Sequence, residues 1–368
     1  MKNRIQKTVL SVAVAMMPHL SIASEIQLNS EQENWEALTP QKDSYDWLQM
    51  NSGEWLKGKL KSIQNDKVEF DSDEFDLQKV DFEDVKQLRC SGISTIHGDK
   101  IGNVVGRVMI RDQKIIVVTD EGEKTFRLDQ VTSVLEGADQ ESNYWSAKVT
   151  LNLNVRSGNT DQIDYGAKVN VKRQTVQTRF VVDYLGDFSS NSGDEIANSQ
   201  RVNSTFDVFQ TRRLFWQPFI GEYYRDPFLN INSRYTLGVG AGYVLIDSAK
   251  TDWSINGGPT YQITEFDTVD AGNEDDVSTA TLLLGTKFNT EIGKSTDFIY
   301  EYSFNILDEA SGLYTHHMIA TFENEFVTDF DFDISLVWDR VEKPAKKVDG
   351  SVPEQDDFRL LVGVGYSY

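Results

Sequence analysis

From Tyr144 to the end, the chain is written in segments of about ten residues in which apolar and polar positions alternate. In the first, Trp145, Ala147, Val149, Leu151, Leu153 and Val155 share one face, and Ser146, Lys148, Thr150, Asn152, Asn154 and Arg156 the other. The second repeats the pattern, with Ile163, Tyr165, Ala167, Val169 and Val171 against Asp164, Gly166, Lys168, Asn170 and Lys172. A period of two places successive side chains on opposite faces of a strand. A soluble sandwich does not need one face so apolar and the other so charged along whole strands. A barrel with lipid outside and water inside does.

Further segments fall at 175–186, 201–212, 214–225, 233–246, 251–264, 277–289, 296–306, 314–326, 328–340 and 357–368. The expected fold is therefore all-β, a transmembrane antiparallel β-barrel of about 12 strands over residues 143–368. Segment 214–225 fits least well, because both faces carry aromatics and Pro218 interrupts it. If the first strand rises from the periplasm, the outer connections are 157–160, 187–200, 226–232, 265–276, 307–313 and 341–356. The inner ones, near 173–174, 212–213, 247–250, 290–295 and 327, are mostly shorter. Aromatics gather near strand ends, as at a membrane interface: Tyr144, Trp145, Trp216, Tyr366 and Tyr368 at one rim, and Tyr184, Tyr224, Tyr261, Tyr314 and Trp338 at the other.

The last segment, Phe358–Tyr368, alternates strictly apart from Leu361 and ends on an aromatic residue. It resembles the C-terminal signal by which bacterial outer-membrane barrels are recognised for assembly, which has a glycine five residues before a terminal aromatic and a hydrophobic residue two before the end. Gly363, Tyr366 and Tyr368 match that pattern; Leu361 stands where the signal usually has a polar residue. The resemblance implies an encounter with the barrel assembly machinery through this strand.

At the other end, Lys2, Arg4 and Lys7 precede a short apolar run, Val9 to Leu20, and Ser21-Ile22-Ala23 offers small residues for cleavage. Residues 1–23 read as a secretory signal peptide and 24–44 as an acidic leader with Trp35 as its large apolar group. Beyond the signal no apolar run approaches the length of a spanning helix. The net charge of −22 argues against a nucleic-acid partner, since phosphate binding requires clustered Lys and Arg. The lone cysteine, Cys90, has no disulfide partner in the chain and no metal-ligand cluster beside it, so it reads as a packed residue.

Residues 45–137 carry an internal repeat offset by roughly 46 to 48 positions. Trp55–Leu60 aligns with Val104–Val108, matching Gly58 to Gly106; Lys67–Phe70 aligns with Ile115–Val118; and Phe82–Leu88 aligns with Leu128–Val134. Each unit reads as short strands and turns, too small alone for a secure core, so the two are expected to pack together as a small periplasmic β-domain. Segment 89–102 would connect them, with His97 an exposed loop residue.

The barrel's opening, Tyr144 to Thr160, with its aromatic start, alternation and Gly158-Asn159-Thr160 turn, resembles the salt-induced outer-membrane protein family (YdiY-like). That resemblance implies a barrel in the outer membrane of a Gram-negative bacterium, in contact with outer-membrane lipid and lipopolysaccharide. It also implies a role under osmotic or salt stress, and no catalytic residues.

The inward faces carry the chemistry. Lys148, Arg156, Lys168, Lys172, Arg179 and Arg359 would line the lumen with Asp164, Asp183, Asp207, Glu301, Asp331 and Asp333. Mixed charges suit either a narrow aqueous path or a salt-bridged plug. No cofactor or metal site is expected. The acidic loop from Glu265 to Asp276 lacks the spacing and central glycine of an EF-hand loop, and Lys343, Lys346 and Lys347 in the last outer loop are available to lipopolysaccharide phosphates. A barrel hydrolase would need a nucleophile and a base at one rim. His316 and His317 are the candidates, but adjacent strand residues face opposite ways and cannot share a site. The expectation is a non-enzyme: a narrow channel or envelope component, or alternatively a closed anchor presenting residues 45–137 to a periplasmic partner.

Overall fold

The computed structural model describes residues 45–64, 66–98, 100–137, 144–156, 162–269, 274–293, 295–309, 311–327 and 329–367, apart from the side chains of 76 and 154–156. The expected signal peptide (1–23) and leader (24–44) lie outside the described residues.

Alternation carries the chain into twelve antiparallel strands that close on themselves: β11 (Trp145–Arg156), β12 (Gln162–Gln174), β13 (Thr178–Asn191), β14 (Asp194–Phe209), β15 (Leu214–Asp226), β16 (Ile231–Asp247), β17 (Thr251–Phe266), β18 (Asp276–Glu291), β19 (Thr296–Ile306), β20 (Tyr314–Val327), β21 (Phe330–Val341) and β22 (Asp356–Ser367). The last strand returns to the first, pairing Val149 with Tyr366 and Leu151 with Val364. The outward rows are apolar and exposed. Phe330, Phe332, Ile334 and Leu336 of β21 lie beside Tyr366, Val364, Val362 and Leu360 of β22. The inward positions between them, Asp331, Asp333, Ser335 and Asp339, are buried. An oily outer wall around a polar interior is the lipid-facing arrangement.

Two sequence expectations are corrected here, the outer connection at 187–200 and the girdle place of Tyr224. The outer connection expected at 187–200 is almost wholly strand: β13 and β14 run on to a tight turn at Ser192 and Gly193, both with positive φ. Side-chain alternation continues there at lower hydrophobicity, so the segment reads as loop although its backbone still pairs. Segment 214–225 is a full strand, β15, broken by a bulge between Gln217 and Ile220. The bulge takes up Pro218, which has no N–H for the ladder. It also inverts the facing. Phe215 and Gln217 are buried inside before it, Ile220 and Tyr224 after it, while Trp216 and Phe219 stay exposed outside. Aromatics on both faces are thus the signature of a phase change. Tyr224, expected in the outer girdle, is turned into the interior by this shift.

Before the barrel lie β1 (Asp46–Met50), β2 (Trp55–Gln64), β3 (Lys67–Ser72), β4 (Asp76–Asp81) and β5 (Val85–Arg89), then β6 (Ser94–Gly98), β7 (Gly102–Arg111), β8 (Lys114–Thr119), β9 (Gly122–Arg127) and β10 (Ser133–Glu136). A 3₁₀ turn precedes the fifth strand of each set, at Phe82–Asp84 and Leu128–Gln130. Strands pair in the order β1-β5-β7-β6-β10-β2, and β2 pairs back to β1, so six strands close a small barrel. Hairpin β3-β4 extends from β2, and hairpin β8-β9 from β7. The fifth strand of each repeat bridges the two units: β5 pairs with β1 of its own and β7 of the second, and β10 with β6 of its own and β2 of the first. Neither unit closes alone, which explains why they occur as a pair. The equivalent glycines serve the same purpose. A Cβ on Gly58 would stand 1.9 Å from the Asp71 carbonyl oxygen, and one on Gly106 2.5 Å from that of Val118. The shared core includes Leu48, Leu60, Phe70, Leu88, Ile96, Ile110, Val117 and Cys90.

The structure also corrects two details of the repeat. Segment 89–102 is not merely a connector: it holds β6, the counterpart of β1, and His97 sits on that strand with Nδ1 2.7 Å from Asn103 Oδ1. Buried Val68 and Phe70 correspond to buried Ile115 and Val117, one residue earlier than the alignment of Lys67 with Ile115. A one-residue slip exchanges the faces of a strand, so burial decides the register.

Candidate functional site: a barred lumen and the chamber beneath it

The two ends of the large barrel differ. Turns 175–177, 210–213 and 248–250 mark the short-turn end, and the small β-domain docks on them. Lys67 Nζ lies 3.1 Å from Asp247 Oδ1 and 3.0 Å from Asp252 Oδ1, with Glu69 beside it. Arg212 pairs with Asp66, Gln174 Nε2 donates to Gln64 Oε1 at 2.5 Å, Ser133 Oγ donates to the Val176 carbonyl at 2.5 Å, and the Ala249 N–H donates to Asp81 Oδ1 at 2.8 Å. Burial alone would lower the pKa of Lys67; the carboxylates of Asp247, Asp252 and Glu69 outweigh it and hold the ammonium above its ordinary value.

Between that domain and the barrel interior is a cavity of about 1220 Å³, lined from below by Lys61, Lys67 and Glu69 and from the wall by Lys172, Arg179, Asp183, Asp207, Glu301 and Asp331. The structure brings most of the sequence-chosen lumen residues into this chamber or its margin. Lys148 Nζ sits among Glu323, Asp331 and Asp333 at 2.6, 2.9 and 3.5 Å. Lys168 reaches Asp333 at 3.5 Å, and Thr150 donates to the same carboxylate at 2.8 Å. Arg179 grips Asp207, and Asn170 Nδ2 donates to Asp183 at 2.5 Å. Glu301 pairs with Lys287 at 2.6 Å. Asp164 stands apart, higher on β12, accepting from Gln162 and Ser189. Arg156 ends β11, and its side chain is outside the described set. Glu323, Asp331 and Asp333 converge closely enough to hold a metal ion, but an ammonium already occupies their centre.

Above the chamber the lumen is barred. Asp339, 3 % exposed, is the node. Its Oδ1 lies 2.8 Å from Arg201 Nη2 and 2.8 Å from His317 Nδ1, and its Oδ2 accepts from Arg359. Arg201 comes from β14, His317 from β20 and Arg359 from β22, so three parts of the wall meet at one carboxylate. Arg201 also holds Glu222 at 2.5 Å and stacks over Tyr224 at 4.1 Å, while Arg234 approaches the same ring at 5.8 Å. The void among these side chains measures about 10 Å³, room for about one water. Loops at the long-loop end knit over this layer: Asn230 donates to the carbonyls of Thr268 and Lys346, and Lys343 pairs with Glu309.

Of the lumen residues chosen from sequence, only Arg359 belongs to this bar. Arg201, Glu222, Tyr224, Arg234, His317 and Asp339 were missed. Asp339 was legible in principle, since it continues the odd-numbered row Asp331, Asp333, Ser335; Glu222 and Tyr224 were hidden by the bulge at Pro218. The histidines divide as alternation requires. His316 lies outside among Phe304, Trp338 and the Tyr302 hydroxyl, and His317 lies inside. Ser303 stands opposite His317 in the ladder, yet no Ser303–His317 hydrogen bond occurs among the described contacts. In the assembly signal, Gly363 pairs with Asn152, and Tyr366 pairs with Val149 and stands against Phe330, its ring exposed outside. Tyr368 is outside the described residues.

No curated protein sequence matches the chain. Among solved structures, a NanC porin aligns over 60 % of this chain and 98 % of its own at 8 % identity and a TM-score of 0.38. The beta domain of the Bordetella autotransporter Brka aligns over 61 % and 97 % at 10 % identity and 0.29. OmpT of Vibrio cholerae aligns over 77 % and 96 % at 9 % identity and 0.25. These likenesses are too low to transfer a function. The family model described as "Protein of unknown function, DUF481" matches residues 149–368, nearly the whole large barrel, and on that match the chain belongs to the DUF481 family.

Proposed function

We propose that this protein is an outer-membrane β-barrel that is shut at rest and anchors its small β-domain at the periplasmic mouth. The observation that carries this reading is the bar across the lumen, where Arg201, His317 and Arg359 converge on Asp339 with room for about one water. A conducting pore needs a continuous wet path, and this layer interrupts it. The apolar outer wall supports insertion in a membrane, and the short turns on the β-domain side support a periplasmic address for that domain. The docking contacts of Lys67, Asp66, Gln64 and Asp81 make the domain a floor for the chamber. The protein is read as non-enzymatic: the Asp339 carboxylate is shared with two guanidinium groups, and His317 lacks a bonded nucleophile among the described residues.

Planar-bilayer conductance of the full chain tests the reading. The expected record is silent at either polarity, with openings appearing in Asp339→Ala. Discrete openings of the unaltered chain would overturn the closed-barrel reading. A gated channel is the second reading, favoured by the size of the chamber beneath the bar; it predicts that the openings of Asp339→Ala widen once Lys67 and Arg212 are also replaced and the floor released. A role in salt or osmotic stress rests on the resemblance of residues 144–160, and growth of a deletion strain across external salt concentrations tests it.

A further inference from the structure

The wall is not equally closed all round. The ladder between β11 and β22 runs from Lys148 and Ser367 only as far as Asn152 and Gly363. On their other sides both strands continue: β11 pairs with β12 up to Arg156, and β22 pairs with β21 from Asp356. These are therefore formed strands, not frayed ends. Among the described residues, Leu153–Arg156 and Arg359–Val362 have no ladder partner across the seam. At about 3.3 Å per residue the parted stretch spans about 13 Å of wall.

Its depth follows from the aromatics on its two lips. Leu153 pairs with Tyr165, which stacks on Phe188, and Phe358 stacks on Trp338. Those pairs belong to the aromatic belt toward the long-loop end. The opening thus runs from the middle of the apolar band to that belt. On the lips Leu153, Leu360 and Phe358 are 65–70 % exposed and Val362 45 %, while Leu151 of the zipped stretch is 62 % exposed, so it is the ladder and not the exposure that marks the parting. Behind the lips the inner row is polar or glycine, with Asp331, Asp333, Ser335, Arg359 and Gly363, except at Val337 and Leu361. Leu361 is the position at which the terminal strand departs from strict alternation. Unpaired backbone in hydrocarbon is costly, so a parted seam at this depth requires something to occupy it.

We propose that the parted seam is a lateral portal that admits one acyl chain of a membrane amphiphile from the leaflet at the long-loop end. The chain packs along Leu153, Leu360 and Phe358 and ends against Leu361, while polar atoms at its head meet the free backbone groups. The inference rests on the membrane reading above. Its test uses the full chain in liposomes containing a phospholipid with a diazirine near the end of one acyl chain, irradiated and mapped by mass spectrometry. Adducts are expected on the outward rows of β21 and also on inward Leu361. Labelling of Phe332 and Leu336 without Leu361 overturns the portal and leaves the membrane reading standing. No labelling of the outward rows overturns both. Paired cysteines in a Cys90→Ala background test the opening itself. Leu151→Cys with Val364→Cys is expected to oxidise to a disulfide, and Leu153→Cys with Val362→Cys is expected not to. Ready oxidation of the second pair would show a zipped seam and overturn the proposal.

Discussion

Replacing Asp339 with alanine removes the carboxylate on which the bar is built. It is almost wholly buried, and three cationic or polar groups reach it from β14, β20 and β22. Deleting one member of a buried ion pair costs about 3–5 kcal/mol, because the partner remains desolvated. Here Arg201 keeps Glu222 at 2.5 Å and Arg359 keeps Asp357 at 3.3 Å. Each guanidinium is left with one partner rather than none, which puts the expected loss at the lower end, about 3 kcal/mol. With a denaturant dependence of about 1–3 kcal/mol per molar urea, the unfolding midpoint of the refolded protein falls by about 1–3 M. Asp339→Asn retains an oxygen acceptor and should lose less. A midpoint shift of less than about 0.3 M for Asp339→Ala would refute the reasoning. It would mean that Asp339 is hydrated and that the lumen is wet at this level.

Four further outcomes are expected. Gly58→Val and Gly106→Val each force a side chain against a facing carbonyl; both should abolish the native protease resistance of residues 45–137 while leaving barrel heat-modifiability on gels intact. Cys90 should resist maleimide until the protein is unfolded, because burial, reinforced by the charges of Asp46 and Glu136, pushes its thiol up and withholds the reactive thiolate. Lys67 has its pKa raised in the folded state, so its contribution to docking is present below the unfolded value of about 10.4 and is lost as pH climbs beyond it; crosslinking between the domain and the barrel should hold from pH 7 to about 10 and then decline, and Lys67→Met should lack that decline. A fluorophosphonate probe should leave the native protein unlabelled, and covalent labelling of Ser303 would overturn the non-enzymatic reading.

Much of the barrel was legible in the sequence because lipid outside and water inside impose a period of two on every strand. Asp331, Asp333 and Ser335 could be assigned inward, and Phe332, Ile334 and Leu336 outward, by parity. Parity fails where the backbone inserts a residue. The bulge at Pro218 sent Tyr224 inside, and with it went the sequence cue for the Arg201–Glu222–Tyr224 cluster. The repeat was visible through Gly58 and Gly106, yet the bridging of its fifth strands was not, because pairing between β5 and β7 joins residues whose local patterns carry no mark of their partners.

What the sequence by itself determined is therefore most of what depends on one strand at a time: that the barrel strands form, how many there are and, away from the bulge at Pro218, which face is oily. These follow from local periodicity and the partition of side chains between lipid and water. The tertiary structure alone decided what depends on which strands become neighbours and at what stagger. Barrel closure brings Arg201 and Arg359, far apart in the chain, onto the single carboxylate of Asp339. Docking brings Lys67 to Asp247 and Asp252. The stagger of the closing ladder leaves β11 and β22 parted above Asn152 and Gly363. Charges of opposite sign recur throughout the inward rows, and a linear pattern cannot say which of them will meet.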